Sequence, residues 1–398
     1  MTSTTAQVLL QPRRAKPFYA RHPWVFAGAI AHLDGDPADG DAVEVFAHGG
    51  AFIAHGLYNS RSRIRVRLYS WNLNERLDRE LFRSRLQTAL ALRRDTLHLT
   101  GPGRACRLVF SESDGLSGLT VDQYDRWLVL QFTSLALAQR KEVFVDLLRE
   151  LCAPAGIYLR TERGIGEQEG VELHDGLLWG ELPAGPIEIV EHDVRFLVNL
   201  REGQKTGFYL DQRDNHQAVA KYAQGRRVLD AFCYTGGFGL HCARAGAKLV
   251  MGVDGSEPAL ALARENAARN GLSAVTFTRA DVFRYLEEAA RERQQFEMVI
   301  LDPPKFARSS RAIDTALSGY RRLFALSTLL LAPGGILVIC CCSGLITPAQ
   351  IEEVLAQVAT EAKRSMQILE RHGQPPDHPV SVSCPETSYL KCLIARIL

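Results

Sequence analysis

Four aspartates, Asp230, Asp254, Asp281 and Asp302, end or closely follow four successive segments with the apolar pattern of β-strands. Val228-Leu229 opens the first strand, Leu249 to Val253 form the second, Val275 to Thr278 the third and Met298 to Leu301 the fourth. Gly239 to Ala245 and Glu257 to Asn270 read as helices between them, and Gly335 to Cys341 as a later strand. Strands separated by helices of this length predict an α/β fold with a parallel, doubly wound sheet from Gly203 onward. Ligands of such sheets bind beyond the carboxyl ends of the strands, which is where these carboxylates fall.

Asp230 leads into Ala231-Phe-Cys-Tyr-Thr-Gly236-Gly237-Phe-Gly239, a glycine-rich turn that opens a helix. Glycine lets the backbone approach a ligand closely, which makes Tyr234 and Gly236 candidate cofactor contacts beside Asp230. The spacing differs from the Gly-x-Gly-x-x-Gly of dinucleotide enzymes and counts against a nicotinamide cofactor. Asp254 is placed to accept hydrogen bonds from both ribose hydroxyls of an adenosine. Asp281, in Ala280-Asp281-Val282-Phe283, is placed to meet the adenine edge. Any one of these aspartates alone is more often a helix cap or turn residue. All four in register point to an adenosine-type cofactor.

The 398 residues suffice for two or three domains, and 46% hydrophobic with 23% charged residues suits a soluble globular chain. A net charge of +2 leaves any nucleic-acid affinity to local patches. No apolar run of about 18 residues suggests a membrane span. Met1 to Ala15 lacks the apolar core of a signal peptide. Nine cysteines show no Cys-x-x-Cys pair and no zinc spacing, so no metal is expected and free thiols in a cytoplasmic compartment are.

Period-two segments fill the first 72 residues, among them Asp41 to Phe46 and Phe52 to Tyr58 on either side of Gly49-Gly50. Arg61-Ser-Arg-Ile-Arg-Val-Arg-Leu68 follows, and in a strand Arg61, Arg63, Arg65 and Arg67 would share one face. That face reads either as a solvated sheet surface or as a row of phosphate contacts. From Asn74 to Leu182 helical and strand patterns mix in an α+β region, with Asp114-Gly115 as a turn. Pro183 to Asn199 reads as a hairpin joining it to the α/β part.

The acidic series resembles class I methyltransferases. Asp302-Pro303-Pro304-Lys305-Phe306 resembles the Asp-Pro-Pro motif of those that act on nucleic acids, in which two prolines fix a loop facing a flipped-out base. Lys305 becomes a candidate RNA contact. Gly203 to Arg213, Asp230 to Gly237, Asp377-His-Pro-Val380 and Tyr389-Leu-Lys391 together resemble the large-subunit ribosomal RNA methyltransferase I family. The resemblance implies S-adenosylmethionine as cofactor and carbon 5 of a cytosine in 23S ribosomal RNA as target. It also implies a class I (Rossmann-like) methyltransferase domain at 201–398, preceded by a β-rich PUA-like domain at 1–72. A middle α+β domain at 73–182 and a hairpin at 183–200 lie between. Phe208 and Tyr209 would flank the cofactor, and a homodimer is carried as a candidate assembly.

Cytosine carbon 5 is too weak a nucleophile to take a methyl group unaided, and a thiolate added to carbon 6 removes that difficulty. Cys340, Cys341 and Cys342 lie where the fifth strand runs out, and alternation puts Cys341 on the opposite side from the other two. Cys342 is nearest the ligand edge and matches the family's Cys-Ser-Gly segment, so it is the expected nucleophile. A free thiol is only a few per cent thiolate at neutral pH, and the sequence shows no source of activation. The fourth-strand motif lacks the second cysteine of two-cysteine RNA cytosine methyltransferases, which leaves Asp302 as candidate base. Competing readings are methylation of a base nitrogen such as guanine, a non-catalytic RNA-binding assembly factor, and a dehydrogenase.

Overall fold

In a computed structural model that describes residues 5–162, 164–307 and 309–398, the N-terminal period-two segments become six strands. These are β1 (Ala6–Leu10), β2 (Trp24–Phe26), β3 (Ile30–Asp34), β4 (Ala42–Phe46), β5 (Phe52–Tyr58) and β6 (Ile64–Ser70), paired in the order β2-β6-β5-β4-β1-β3. Val8, Val25, Val45, Val66 and Leu68 bury one face of this sheet. The other face of its β5–β6 part is covered too. Leu57 and Tyr69 pack into a second core with Phe82 and Leu86 of the helix Arg79–Ala91. A strand covered on both sides has no solvent face for its alternate residues, whatever their charge.

Asp78 caps that helix by accepting from the backbone N–H groups of Glu80 and Leu81. The helix and its partner Lys141–Cys152 share their core with a second sheet. Its strands are β7 (Ala105–Phe110), β8 (Leu119–Tyr124), β9 (Trp127–Phe132), β10 (Gly156–Leu159) and β11 (Gly176–Gly180), in the order β11-β10-β9-β8-β7. The Asp114-Gly115 turn is stapled from within, because fully buried Arg93 donates to both Asp114 oxygens at 2.7 and 2.9 Å.

A hairpin follows, β12 (Ile187–Glu191) and β13 (Val194–Val198), with His192 and Asp193 both at positive φ in its tight turn. Asn266 and Asn270 Oδ1 accept from the backbone of Leu197 and Arg195 at 2.8 and 2.9 Å.

The α/β part is a seven-stranded sheet of β14 (Arg227–Ala231), β15 (Leu249–Asp254), β16 (Val275–Arg279), β17 (Phe296–Leu301), β18 (Leu331–Cys341), β19 (Met366–His372) and β20 (Lys391–Ile397). Its order is β16-β15-β14-β17-β18-β20-β19, with β16 through β18 parallel and β20 antiparallel to both its neighbours. Val299 and Leu301 face one apolar cluster and Met298 and Ile300 the other, so helices cover both sides. The parallel doubly wound sheet expected from the alternation of strands and helices is present.

The chain forms two compact units. The first holds Met1–Ile187, Asn199–Phe208 and Pro376–Thr387; the second holds Glu188–Val198, Tyr209–Pro375 and Ser388–Leu398. Two short segments expected to lie with the α/β part thus belong to the first unit. Buried polar bonds account for this. Thr206 Oγ1 donates to Asp122 Oδ2 at 2.6 Å, and Asp377 Oδ2 accepts from the Arg107 backbone at 2.9 Å. Arg93 donates to the Asp377 carbonyl at 2.7 Å. Among the described residues no helix is long and apolar enough to cross a membrane.

Candidate active site

The glycine-rich turn after β14 is held in a conformation that few side chains tolerate. Phe232, Tyr234 and Gly236 all have positive φ, at 64°, 49° and 88°. Non-glycine residues persist there only where surrounding bonds over-determine them, and Asp254 supplies one such bond, to Tyr234. Its Oδ2 accepts from the Tyr234 backbone at 3.0 Å and its Oδ1 from the Ser256 backbone at 2.8 Å.

Asp230 Oδ2 accepts from the Gly239 backbone at 2.8 Å, while Oδ1 is buried without a hydrogen bond. Burial pushes this carboxyl up to about 7; the Gly239 N–H works against that rise, and the Asp302 and Asp254 charges add to it. Thr235 Oγ1 is a second buried, unpartnered oxygen on the same turn. Unsatisfied buried polar atoms are rare in folded proteins, so two on one turn mark a place for ligand donors.

Asp302 follows β17 and accepts from Gln212 Nε2 at 3.1 Å, and Gln212 Oε1 in turn accepts from Asn215 at 2.6 Å. Tyr209 and Tyr234 meet edge to face, ring centroids 5.2 Å apart. Burial first, then the nearby Asp302, Tyr234, Asp211 and Cys342, hold the Tyr209 phenol well above its usual range, so it stays a hydroxyl donor. Cys340 and Cys341 are fully buried on opposite faces of β18, and Cys342 lies half-buried just past the strand's end. Tyr209, Asp230, Tyr234, Gly236, Asp254, Asp302 and Cys342 therefore gather in one unit, at the carboxyl edge of one sheet.

Asp281 and Lys305 lie in the same unit but in exposed positions, and Phe208 lies in the other unit. Asp281 is exposed beyond edge strand β16 and caps the helix Val282–Arg291 by accepting from Arg284 N at 3.0 Å. Lys305 is exposed. Phe208 is buried in the first unit, where its backbone N–H donates to the Tyr124 hydroxyl at 3.1 Å.

The arginine row is corrected by the fold. Arg61 and Arg63 precede β6 and are exposed, Arg65 is half-buried, and Arg67 is buried. The Arg67 guanidinium pairs with Glu112 at 3.3 Å and Glu169 at 3.1 Å, and donates to Ser117 Oγ and the Thr133 carbonyl. Its face of β6 is closed by the second core, so alternation placed it inward rather than in solvent.

One buried cluster has no counterpart among the residues expected from the sequence. Glu191 Oε1 lies 2.6 Å from His216 Nδ1, and the His216 ring stacks on His241 at 5.2 Å. Burial pushes His241 down to about 4, against the pull of Glu191. A Cβ on Gly237 would stand 2.6 Å from His216 Nε2, so this cluster forms the floor of the glycine turn. Nothing in the spacing of the hairpin residue Glu191 and two distant histidines signals the contact.

A family model for S-adenosylmethionine-dependent methyltransferases matches residues 176–396, and one for a PUA-like domain matches residues 8–71. The crystal structure of SMU.776, described as "a putative methyltransferase complexed with SAH", superposes with a TM-score of 0.85 over 98% of this chain and 99% of its own, at 21% identity. That likeness concerns the fold. Fold and site define a class I methyltransferase whose cofactor is S-adenosylmethionine. The site's chemistry suits that cofactor, since a sulfonium and an ammonium fit an edge carrying Asp230, Asp254 and Asp302, and the unpartnered oxygens on the turn accept donors.

"Ribosomal RNA large subunit methyltransferase I" of Aeromonas salmonicida is 41% identical over 391 residues, covering 98% of each chain. The protein of that name from Shewanella amazonensis is 40% identical over 396 residues, covering 98% of this chain and 99% of its own. The chain belongs to the ribosomal RNA large subunit methyltransferase I family.

Proposed function

We propose that this enzyme methylates carbon 5 of a cytosine in the 23S RNA of the large ribosomal subunit, by way of a covalent adduct with Cys342. The observation that carries the reading is a half-buried thiol at the open end of β18, in the field of Tyr209. Cys342 Sγ adds to carbon 6, and the electron pair of the 5,6 double bond makes carbon 5 nucleophilic. Carbon 5 takes the methyl group. A base then removes the carbon 5 proton, the double bond re-forms, and the Cys342 thiolate leaves. Asp302, held by Gln212 at 3.1 Å, is the base we assign.

S-adenosylmethionine supplies the electrophilic methyl group when bound. In this reading Asp254 takes the ribose hydroxyls and Asp281 the adenine edge. Asp230, Tyr234, Gly236 and Tyr209 surround the methionine portion. The PUA-like domain at 1–72 holds the RNA, with exposed Arg61 and Arg63 as phosphate contacts, and Lys305 lies beside the base.

RNA carrying 5-fluorocytidine at the target tests the chemistry, because fluorine cannot leave as a proton does. The wild-type enzyme should be trapped as a covalent complex. Cys342→Ala should neither trap nor methylate, yet bind cofactor as before. Substantial methyl transfer by that variant would favour methylation of a base nitrogen instead.

A further inference from the structure

The expected nucleophile needs a cation, and β20 brings one. Lys391 is the cross-strand partner of Cys341, whose face of the sheet it shares, at the last residue of β18 before Cys342. Its side chain is buried, and Nζ donates to the Ser343 carbonyl at 2.6 Å and to the Tyr389 carbonyl at 3.1 Å. Ser343 directly follows Cys342, so the first of these bonds pins the ammonium to the turn that carries the thiol. An ammonium has three N–H donors and these carbonyls take two. Among the described residues no carboxylate forms an ion pair with Lys391. Buried charges in folded proteins are almost always paired, and this one lacks its anion.

The groups facing the thiol identify that anion. Burial disfavours the Lys391 charge, Cys341 and Cys342 favour it, and Lys305 opposes it. From the helix Ile313–Leu330, Tyr320 faces Cys341, Cys342 and Asp302, and from the turn before residue 210, Tyr209 faces Asp302 and Cys342. Asp302 repels a thiolate, the two phenols are neutral, and Lys305 is exposed to solvent. Lys391 is thus the buried cation of the set. Cys341 is fully enclosed in the apolar core, whereas Cys342 has access to solvent and to a base.

We propose that Lys391 is the resident counter-cation of Cys342: the thiol releases its proton to water, Lys391 keeps all three of its own, and an ammonium–thiolate pair awaits the cytosine. Resting on the reading of Cys342 as nucleophile, it makes Lys391 a positioning residue that acts through the thiolate. A lysine beside a cysteine is a known way to lower a thiol's pKa.

Iodoacetamide alkylation of the full-length protein, read at the Cys342 peptide by mass spectrometry from about pH 6 to about pH 10, measures the thiolate directly. An ordinary cysteine gives an inflection near about 8.5. The wild type should inflect at least about one unit lower. Lys391→Met should move the inflection back up and slow alkylation at neutral pH about tenfold, while Lys391→Arg should stay close to wild type. A lysine that merely ties β20 to the Ser343 turn would alter stability and leave the inflection where it was. An unchanged inflection in Lys391→Met overturns the proposal. Should that variant not fold, a wild-type inflection at or above the ordinary value overturns it equally well. The nucleophile reading fails separately, through methyl transfer retained by Cys342→Ala, and the alkylation profile still decides the ion pair.

Discussion

The carboxyl edge of the seven-stranded sheet and strand β6 of the N-terminal sheet both carry charge at regular positions, but they leave it in opposite conditions. At the sheet edge Asp230 is buried with one oxygen unpartnered, and Asp254 gives one oxygen to the strained turn at Tyr234 and the other to the Ser256 backbone. On β6, Arg67 is also buried and its Nε too is unpartnered, yet both terminal nitrogens of its guanidinium are engaged, two carboxylates among their partners. A buried charge without an opposite charge beside it keeps a place for a ligand; a buried charge held between opposite charges ties a fold together. The contrast distinguishes a binding edge from a structural clasp without reference to sequence motif.

The largest effect expected from this contrast is on Arg67. Removing one member of a buried ion pair typically costs about 3–5 kcal/mol, because the remaining charge is stranded. Arg67→Ala strands Glu169 and Glu112, whose side chains are 7% and 11% exposed. Chemical denaturation should show a loss in that range, with cofactor affinity of the folded fraction unchanged. A loss below about 1 kcal/mol, the range of surface pairs, would break the contrast.

Next comes Asp254. Hydrogen bonds to charged groups contribute about 1.5–3 kcal/mol, so Asp254→Ala should weaken S-adenosylmethionine binding at least about tenfold by calorimetry. Asp254→Asn keeps an acceptor for the Tyr234 or Ser256 N–H and should lose less. Equal affinity in wild type and Asp254→Ala would remove this residue from the cofactor site.

Asp230 sharpens the comparison through pH. Its carboxyl is raised from 3.8 to about 7, so between those values the folded protein holds a proton that the unfolded chain has released. Asp230 therefore costs stability as pH rises across that window, and the cost is complete above about 7. Asp230→Asn should stabilise the cofactor-free protein by about 1–3 kcal/mol at pH 8, and the gain should fade toward pH 4. Cofactor affinity of the wild type should fall as pH drops through about 7, since a cationic ligand prefers the ionised carboxylate. A thermal-shift series for both proteins, with and without cofactor, tests both signs.

The sheet edge was legible in the sequence for a physical reason. Strands buried on both faces read as apolar runs, and parallel crossover topology aligns their carboxyl ends, so acidic residues there fall together without knowledge of tertiary contacts. Alternation likewise put Cys340 and Cys341 on opposite faces, as they are. Arg67 was not legible, because what closes its face is Glu169, 102 residues further along the chain. The same holds for Glu191 and His216, and for the segments 199–208 and 376–387 that join the first unit. Period tells which residues share a face; only packing tells whether that face is wet.

The smallest expected effect concerns the two arginines that do stay in solvent. Arg61 is 68% exposed and its nearest carboxylate, Asp39, is 3.9 Å away, too loose a pairing to neutralise it. Arg63 is exposed as well, while Arg65 is half-buried and donates to the Asn59 carbonyl at 3.2 Å. Removing one arginine–phosphate pair should flatten the dependence of log affinity on log salt by about 0.7–0.9 units. Changing Arg61 and Arg63 together to glutamine should therefore lower the slope for ribosomal RNA by about 1.5 units, with stability and cofactor affinity unchanged. Adding Arg65→Gln should change the slope little further. The opposing reading is that the exposed pair is a solvated turn that never meets RNA, and it predicts identical slopes for the double variant and the wild type. Binding isotherms at several salt concentrations separate the two, and a slope unchanged within error would remove the N-terminal arginines from the RNA path altogether.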